Sequence, residues 1–329
     1  MEYILNKSPL RTTENFKVND FKIDLDIEEK SIGKYNISDG VEYTEEIKTG
    51  LENKIGLPMN QYSNLNVSSD NDLSFITFED DYLVSEININ KGNYIIIFKG
   101  SNVFINTKIN IYTNSNISII NLTDKESKTF ISIENNSSNS IINFIELGGT
   151  VKVSNYYTVL NNENDFNEFN SIYLGKENDR LDMNYYIGIN NKHSKGCINT
   201  YGSLYDDSYK TFRGTIDFLE GSSKSIGEEI EKCILLSDTA TSKSLPMLLC
   251  HEEDVVGTHG VSTGKIDENK IFYLMSRGLS EKEAKRLLIN ANYNLVIDKI
   301  PDENTRNLIR KTIDERIWYN TIEVLYEKR

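Results

Sequence analysis

The sequence is poor in cysteine, in positive charge and in long apolar runs, and each shortage excludes a class of protein. Its three cysteines, Cys197, Cys233 and Cys250, are widely spaced and form no CxxC pair, which argues against a disulfide framework and a closed zinc site. No segment approaches the roughly 20 apolar residues that a membrane span needs. The opening stretch MEYILNKSPLRTTENF lacks a long apolar core behind basic residues. We therefore expect a soluble, cytoplasmic protein with reduced thiols.

Acidic residues outnumber basic ones, 50 to 36, and the formal net charge is -14. Such a charge repels phosphate backbones and anionic lipid, so binding to nucleic acid or to a membrane surface is not expected. Alanine occurs only at positions 240, 284 and 291, in a chain rich in Asn, Ile, Lys and Tyr. Because this bias affects the whole chain, periodicity predicts the fold better than composition does.

Short runs of alternating apolar and polar residues fill the middle of the chain. From Leu83 to about Val159 they are separated by Asn, Gly and Ser, the pattern typical of β-strands. The breaks recur about every 8 to 12 residues, which fits an antiparallel sandwich or a coil that adds one rung per repeat. We favour the coil, because two-residue hairpin turns are scarce at the breaks. Eight apolar residues are predicted to face one interior: Ile95, Ile97, Val103, Ile105, Ile109, Ile111, Ile117 and Ile119.

Near Asp267 the periodicity changes from that of strands to that of helices. Ile271, Leu274 and Met275 follow the i, i+3, i+4 spacing of a first helix, which Gly278 can end in the left-handed conformation. A capping box of Ser280 and Glu283 predicts the start of the second helix, whose apolar stripe is Ala284, Leu287, Leu288 and Ala291. The third helix is predicted to begin near Asp302, after Pro301, with Leu308, Ile309, Thr312, Ile313 and Ile317 on one side.

The chain is predicted to consist of three parts. Residues 1–80 form a mixed, polar and variable region with a helix expected near Glu45 to Asn53. Residues 81–264 form the β body, and residues 265–329 form a C-terminal helical domain.

The segment GTHGVSTGKID, residues 257–267, lies at the junction between the β body and the helical domain. A phosphate-binding P-loop needs four residues between its glycine and the Gly-Lys pair, followed by Ser or Thr. Here Gly260 and Gly264 enclose only three residues, and Ile266 follows Lys265, so no nucleotide site is predicted. His259 in this segment is either a structural turn residue or a metal ligand.

The other candidate ligands are cysteines, one histidine and a short acidic run. Cys250, at the end of PMLLC, and Cys233, in EKCILLSD, have the pattern of buried, small apolar residues. His193 and Cys197 have a spacing compatible with a metal but no further ligands nearby, and we assign them no role. Three carboxylates between Cys250 and His259 are interpreted as a solvated edge rather than as hard-iron ligands: Glu252, Glu253 and Asp254.

Four segments in the last part of the chain together resemble the SufB/SufD family of iron-sulfur cluster assembly proteins. They occur in the family's order, and SPLRTTENF near the start is similar to the family's N-terminal Pro-Arg segment. The four are FRGTIDF (212–218), ILLSD (234–238), LPMLLCHEEDVVGTHGVSTGKID (245–267) and FYLMSRGLSEKEAKRLL (272–288).

This resemblance implies a right-handed parallel β-helix body, residues 81–264, followed by a helical domain on which SufC, an ABC-type ATPase, docks. It implies pairing through the β-helices, with a SufB-like protein or with a second copy as a dimer. The chain would then act as a scaffold rather than an enzyme. It would bind no nucleotide, since its partner would hydrolyse ATP.

The resemblance also implies a site for a transient iron-sulfur cluster. His259 matches the histidine of the family's His-Gly-Ala-Thr segment, which lies where paired β-helices build a cluster. Longer SufD proteins often carry cysteine where this chain has Gly257, which makes Cys250 the candidate sulfur or cluster ligand. Cys233 is a further candidate, because the assembly cysteine of typical SufB aligns with Glu231 to Cys233. SufB-type and SufD-type roles both stay open.

A carbohydrate-active β-helix enzyme, a polysaccharide lyase or hydrolase, is the alternative function. Such enzymes need a groove with clustered Asp or basic residues and calcium. No single predicted strand carries such a cluster on one face, so we prefer the scaffold.

Overall fold

The computed structural model describes residues 2–4, 22–24, 33–51, 57–124 and 126–318. The chain divides into two compact units, Met1–Lys265 and Ile266–Arg329. The first contains twenty described strands and the second three described helices. None of these helices is both long enough and apolar enough to cross a lipid bilayer.

The strands are, in chain order, β1 (Glu2–Ile4), β2 (Lys22–Asp24), β3 (Tyr35–Ile37), β4 (Val41–Leu51), β5 (Met59–Ser69), β6 (Ser74–Phe78), β7 (Tyr82–Lys91), β8 (Tyr94–Phe98), β9 (Phe104–Ile111), β10 (Ser115–Asn121), β11 (Lys128–Asn135), β12 (Asn139–Glu146), β13 (Val151–Leu160), β14 (Phe166–Gly175), β15 (Arg180–Ile189), β16 (Lys195–Leu204), β17 (Tyr209–Phe218), β18 (Ile226–Leu235), β19 (Thr241–Cys250) and β20 (Val256–Lys265).

Strands two apart in sequence pair with each other, so the chain coils between two sheets. The even sheet contains β3 and the even-numbered strands from β6 to β20, and the odd sheet contains β4 and the odd-numbered strands from β5 to β19. From β5 and β6 onward every described pairing is parallel. In the pairing of β14 with β16, for example, Phe166 lies beside Lys195 at one end and Gly175 beside Leu204 at the other. This confirms the predicted parallel β-helix and excludes the antiparallel sandwich. Both sheets continue across residue 80, since β6 pairs with β8 and β5 with β7.

Alternation along each strand sends every second side chain into the space between the sheets. Six of the eight residues predicted to face the interior, from Val103 to Ile119, belong to the main hydrophobic core cluster. The prediction was wrong for Ile95 and Ile97, which are buried on the opposite face of β8. Tyr94, Ile96 and Phe98 fill the core instead. Because the run YIIIF is apolar throughout, its periodicity does not show which face points inward.

The N-terminal end of the β-helix contains antiparallel pairs, β3 with β6 and β4 with β5. The helix expected near Glu45 to Asn53 is wrong up to residue 51, because this stretch is strand β4, and residues 52 and 53 lie outside the described residues. In the pairing of β4 with β5, Val41 lies beside Ser69 at one end and Leu51 beside Met59 at the other. These tertiary hydrogen bonds override the helix preference of its Glu and Lys residues.

The helices are α1 (Glu268–Ser276), α2 (Glu281–Ile297) and α3 (Glu303–Trp318). Their ends confirm the sequence signals. Gly278 has φ 99° after α1, and Ser280 and Glu283 form a reciprocal capping box at the start of α2. At α3, the Asp302 carboxylate accepts from the backbone N–H of Thr305, 2.7 Å away.

The buried faces of the helices were predicted less well. In α2 only Ala284 of the four predicted residues is buried, and Leu287 is 51% exposed. α2 carries apolar residues on more than one face, so spacing alone does not choose the packed one. In α3 the predicted Ile309, Ile313 and Ile317 are buried. The buried residues of α2 are Ala284, Ile289, Tyr293, Val296 and Ile297.

Replacing Ile119 by alanine tests the core. Its side chain is fully buried in the main cluster, so the Ile119→Ala variant should lose about 2–5 kcal/mol of unfolding free energy. The control is Ile47→Ala on β4, where the side chain is 56% exposed, and here the change should stay within about 0.5 kcal/mol. Urea unfolding followed by circular dichroism measures both, and equal losses would contradict the assigned interior.

Candidate functional site

The last rung of the β-helix consists of β19 and β20, each at the end of its sheet. A Cβ added at Gly257 would lie 2.9 Å from the Leu248 side chain, which shows that position 257 faces the interior. The hydroxyls of Ser242 and Thr263 lie 3.4 Å apart within the same rung. Alternate residues of a strand share a face, so His259, between positions 257 and 263, also faces the interior. Its side chain is exposed, because β20 ends the sheet.

Glu229 lies directly below His259, since the two are Cα partners in the pairing of β18 with β20. The side chain is fully buried, and neither carboxylate oxygen has a hydrogen-bond partner in the described part of the chain. Burial raises the pKa of Glu229 to about 8, the negative charge of Glu231 adds to the rise, and Lys210 opposes it. A carboxyl in this setting holds its proton near neutral pH unless a cation replaces it.

A second buried group lies two residues further along β18. Lys210 and Glu231 form a fully buried ion pair. The Lys210 ammonium also donates to the Ser244 hydroxyl at 2.8 Å, and the Tyr173 hydroxyl donates to Glu231 at 2.8 Å. Glu231 accepts from both Lys210 and Tyr173, so its negative charge already compensates the positive charge of Lys210.

Cys233 faces the interior beside this ion pair. Its side chain is 3% exposed, and burial raises the pKa of its thiol while Lys210 opposes the rise. Thiols react as thiolates, so this cysteine is a weak nucleophile at neutral pH. The structure thus places Cys233 as the buried, small residue that the sequence indicated, and its role as a ligand stays a prediction.

Cys250 and His259 do not lie side by side. Within the last rung Leu248 lies across from Gly257, so Pro246 is the residue across from His259. Cys250, exposed at the end of β19, is four residues further along the strand, a separation of roughly 13 Å. On a single chain the two candidate ligands are therefore at different positions along the rung.

The turn after Cys250 agrees with the interpretation of its carboxylates as a solvated edge. Glu252 is partly exposed, and Glu253 and Asp254 are exposed. Glu252 accepts from the backbone N–H of Gly221 at 3.2 Å, and Asp254 accepts from the Ser223 hydroxyl at 3.3 Å. These contacts join the turn to the rung below it.

His193 and Cys197 do not form a common site. His193 occupies the turn before β16 with φ 58°, and its Nε2 lies 3.9 Å from Glu163. Cys197 is buried, with its Sγ 3.6 Å from a Glu228 carboxylate oxygen. Burial raises the pKa of the Cys197 thiol to about 12.

Sequence reasoning missed an interaction on the outer face of the odd sheet. The Tyr186 hydroxyl donates to Asp217 at 2.8 Å, and His251 Nε2 lies 3.7 Å from the other Asp217 oxygen. It also missed Glu229 and Lys210, because residues 221–231 were interpreted as a serine-rich turn, whereas Glu229, Glu231 and Cys233 occupy alternate positions of strand β18. Among the described residues no group of three or more His, Cys, Asp and Glu side chains is arranged to hold a metal ion.

Glu229→Gln should change how stability depends on pH. The folded carboxyl keeps its proton up to about pH 8, whereas the unfolded one loses it near 4.5. Between these values the native state binds more protons, so the wild type loses stability as pH rises. Between pH 4.5 and pH 8 the variant should gain roughly 5 kcal/mol relative to wild type, because each pH unit of this interval is worth about 1.4 kcal/mol.

Urea unfolding at a series of pH values measures this difference. Glu228→Gln is the matched control, because Glu228 is the adjacent residue of β18 on the opposite face and is only partly buried. A constant difference between wild type and Glu229→Gln across this range would contradict the assignment.

Comparisons with known proteins point to one family. The family model described as the SUF system FeS cluster assembly SufBD core domain matches residues 88–292, from β7 into α2. The chain is similar to the iron-sulfur cluster assembly protein SufD of Bacillus subtilis, with 27% identity over 165 residues, covering 50% of this chain and 38% of the relative. SufD of Escherichia coli is 28% identical over 175 residues, or 52% and 40% of the two chains.

An iron-sulfur cluster assembly SufBD family protein of Pyrococcus horikoshii is 30% identical over 141 residues, which is 43% of this chain and 31% of that protein. Each match thus covers less than half of the relative's own length. The core-domain match, in contrast, extends over more than half of the 329 residues, and on that ground the chain belongs to the SufBD family of the SUF system of iron-sulfur cluster assembly.

Proposed function

We propose that this chain is a scaffold on which iron-sulfur clusters are assembled, working with an ABC-type ATPase, SufC. The observation that carries the proposal is the SufBD core-domain match to residues 88–292. In this proposal the ATPase hydrolyses ATP, and the cluster is a transient cargo built from iron and sulfide. The chain contributes a rigid β-helix that positions side chains and a separate helical unit that binds the ATPase.

Exposed apolar side chains on the helical unit support the ATPase-binding role. No residue of α1 is buried, although this helix carries several large apolar side chains. A set of such residues on adjacent helices is typical of a protein interaction surface. They are Phe272 (74% exposed), Tyr273 (57%), Met275 (44%), Leu287 (51%) and Leu295 (50%).

The last rung supports pairing through the β-helix. β19 and β20 each have one edge without a strand partner in the described chain, and an unpaired edge is a template for another chain. We propose that a SufB-like protein or a second copy pairs at this end. His259 and Cys250 both lie on these two strands.

Pairing would also bring together His259 and Cys250, which lie apart on a single chain. In a two-fold interface a residue of one copy contacts a different residue of the other. We propose that His259 of one copy and Cys250 of the second meet one cluster from opposite sides. Imidazole nitrogen and thiolate sulfur are both suitable ligands for iron in such a cluster. With a SufB-like partner, that protein would supply the second set of ligands.

Leu287→Asp should weaken binding of the ATPase. It places a charge within the exposed apolar set on α1 and α2, and loss of one well-packed interface residue costs more than about 1.4 kcal/mol, a tenfold rise in Kd. Calorimetric titration with SufC measures the effect. Tyr43→Asp, at a 58% exposed residue of β4, is the control and should bind as wild type does. Equal binding by all three proteins would refute docking on this face.

His259→Ala and Cys250→Ser should each reduce cluster formation. Anaerobic reconstitution with iron and sulfide in the presence of SufC is followed by visible absorbance and by acid-labile sulfide. Each variant should give less than half of the wild-type yield, because each removes one ligand. His193→Ala alters a turn histidine elsewhere and should give full yield. Full yield from both site variants would show that this rung is structural.

A further inference from the structure

We propose that Glu229 is an iron ligand acting together with His259, so that the two residues bind Fe²⁺ at the open end of the β-helix interior. The identity of the metal rests on the proposed function. The binding pair itself rests on the arrangement of β17 to β20. No role for Glu229 follows from the sequence motifs considered above.

The first argument is that Glu229 is buried without a partner. Its side chain is fully inaccessible, and both oxygens lack a hydrogen bond within the described residues. Buried polar groups nearly always have partners, since an unpaired one costs several kcal/mol. The nearby Lys210 pairs with Glu231 and Ser244. A bound cation would supply what the protein does not.

The second argument is placement. Glu229 and His259 are Cα partners on neighbouring parallel strands, which run about 4.8 Å apart. Both face the interior, so the carboxylate and the imidazole project from adjacent positions of the same column. Carboxylate and imidazole groups at this spacing can reach one metal ion, since metal-ligand bonds are about 2.0–2.2 Å long.

The third argument is space. Gly214 lies across the interior from Glu229, and a Cβ there would lie 2.8 Å from Glu229 Oε1. Any side chain at this position would displace the carboxylate. Pro246, the Cα partner of Gly214, lies across from His259 and offers no side-chain donor to compete for it. Because the imidazole is exposed, an ion can reach this pair from solvent.

The donor set matches the chemistry of ferrous iron. Carboxylate oxygen and imidazole nitrogen suit borderline divalent cations of the first transition row. Two protein ligands leave the other coordination positions open for water, for sulfide or for groups of the paired chain. An iron ion held in this way remains available for cluster building.

Anaerobic titration of the full chain with Fe²⁺, and with Co²⁺ as a spectroscopic probe, tests the inference. Wild-type protein should bind one ion and show the visible absorption of Co²⁺ with nitrogen and oxygen ligands. Glu229→Gln and His259→Ala should each raise the Kd by about tenfold or more, equivalent to about 1.4 kcal/mol. Glu228→Gln, at the neighbouring residue on the other face of β18, should bind as wild type does.

Gly214→Ala is an independent test because it removes no ligand. Its Cβ should displace the Glu229 carboxylate and weaken Co²⁺ binding while leaving His259 unchanged. Circular dichroism establishes that each variant is folded. Wild-type Kd in folded Glu229→Gln, or no binding by the wild type, would overturn the inference.

These results are separable from the proposed function. If Glu229→Gln binds Co²⁺ with the wild-type Kd and gives the wild-type cluster yield with SufC, Glu229 is not a metal ligand but the scaffold role stands. If the ion binds as described while neither cluster formation nor SufC binding occurs, the metal pair stands and the scaffold role fails.

Discussion

The structure depends on the parallel hydrogen-bond register between strands two apart in sequence. That register is unbroken along β14, β16, β18 and β20. It stacks inward-facing residues into columns, so each inward side chain of these strands packs against residues about 30 positions away in the neighbouring rungs. One slipped residue would turn a whole strand inside out. The position of His259 above Glu229 is therefore set by the same bonds that hold the fold together.

The interior columns change character towards the end of the coil. Around β8 to β12 they are filled by isoleucine and phenylalanine, whereas β17 and β18 place Lys210, Glu229 and Glu231 among apolar neighbours. Burying ionised side chains is unfavourable unless they are paired. Lys210 and Glu231 pair with each other, whereas burial raises the pKa of Glu229 and so favours its neutral form. The apolar packing of the rungs beneath them offsets this cost. Rigid packing of this kind is typical where side chains are preorganised for binding.

Local signals predicted local structure well. The Ser280–Glu283 capping box and Gly278 were readable because caps depend on a few adjacent residues. The packed face of α2 was not readable, since its apolar residues surround more than one side and Leu287 is exposed. The strand β4 was missed for a different reason, since its conformation is decided by pairing with β5. In the run YIIIF the inward positions have no polar neighbours to mark them.

By itself the sequence determined the strand-rich body, the change to helices near residue 267, the helix caps and the family resemblance centred on His259. Only the tertiary structure decided which residues share a column. It put Glu229 below His259, put Gly214 across from that carboxylate, and separated Cys250 from both. The physical reason is that strand register and facing come from hydrogen bonds between segments far apart in the chain, and a one-dimensional pattern of residue types does not contain those pairings.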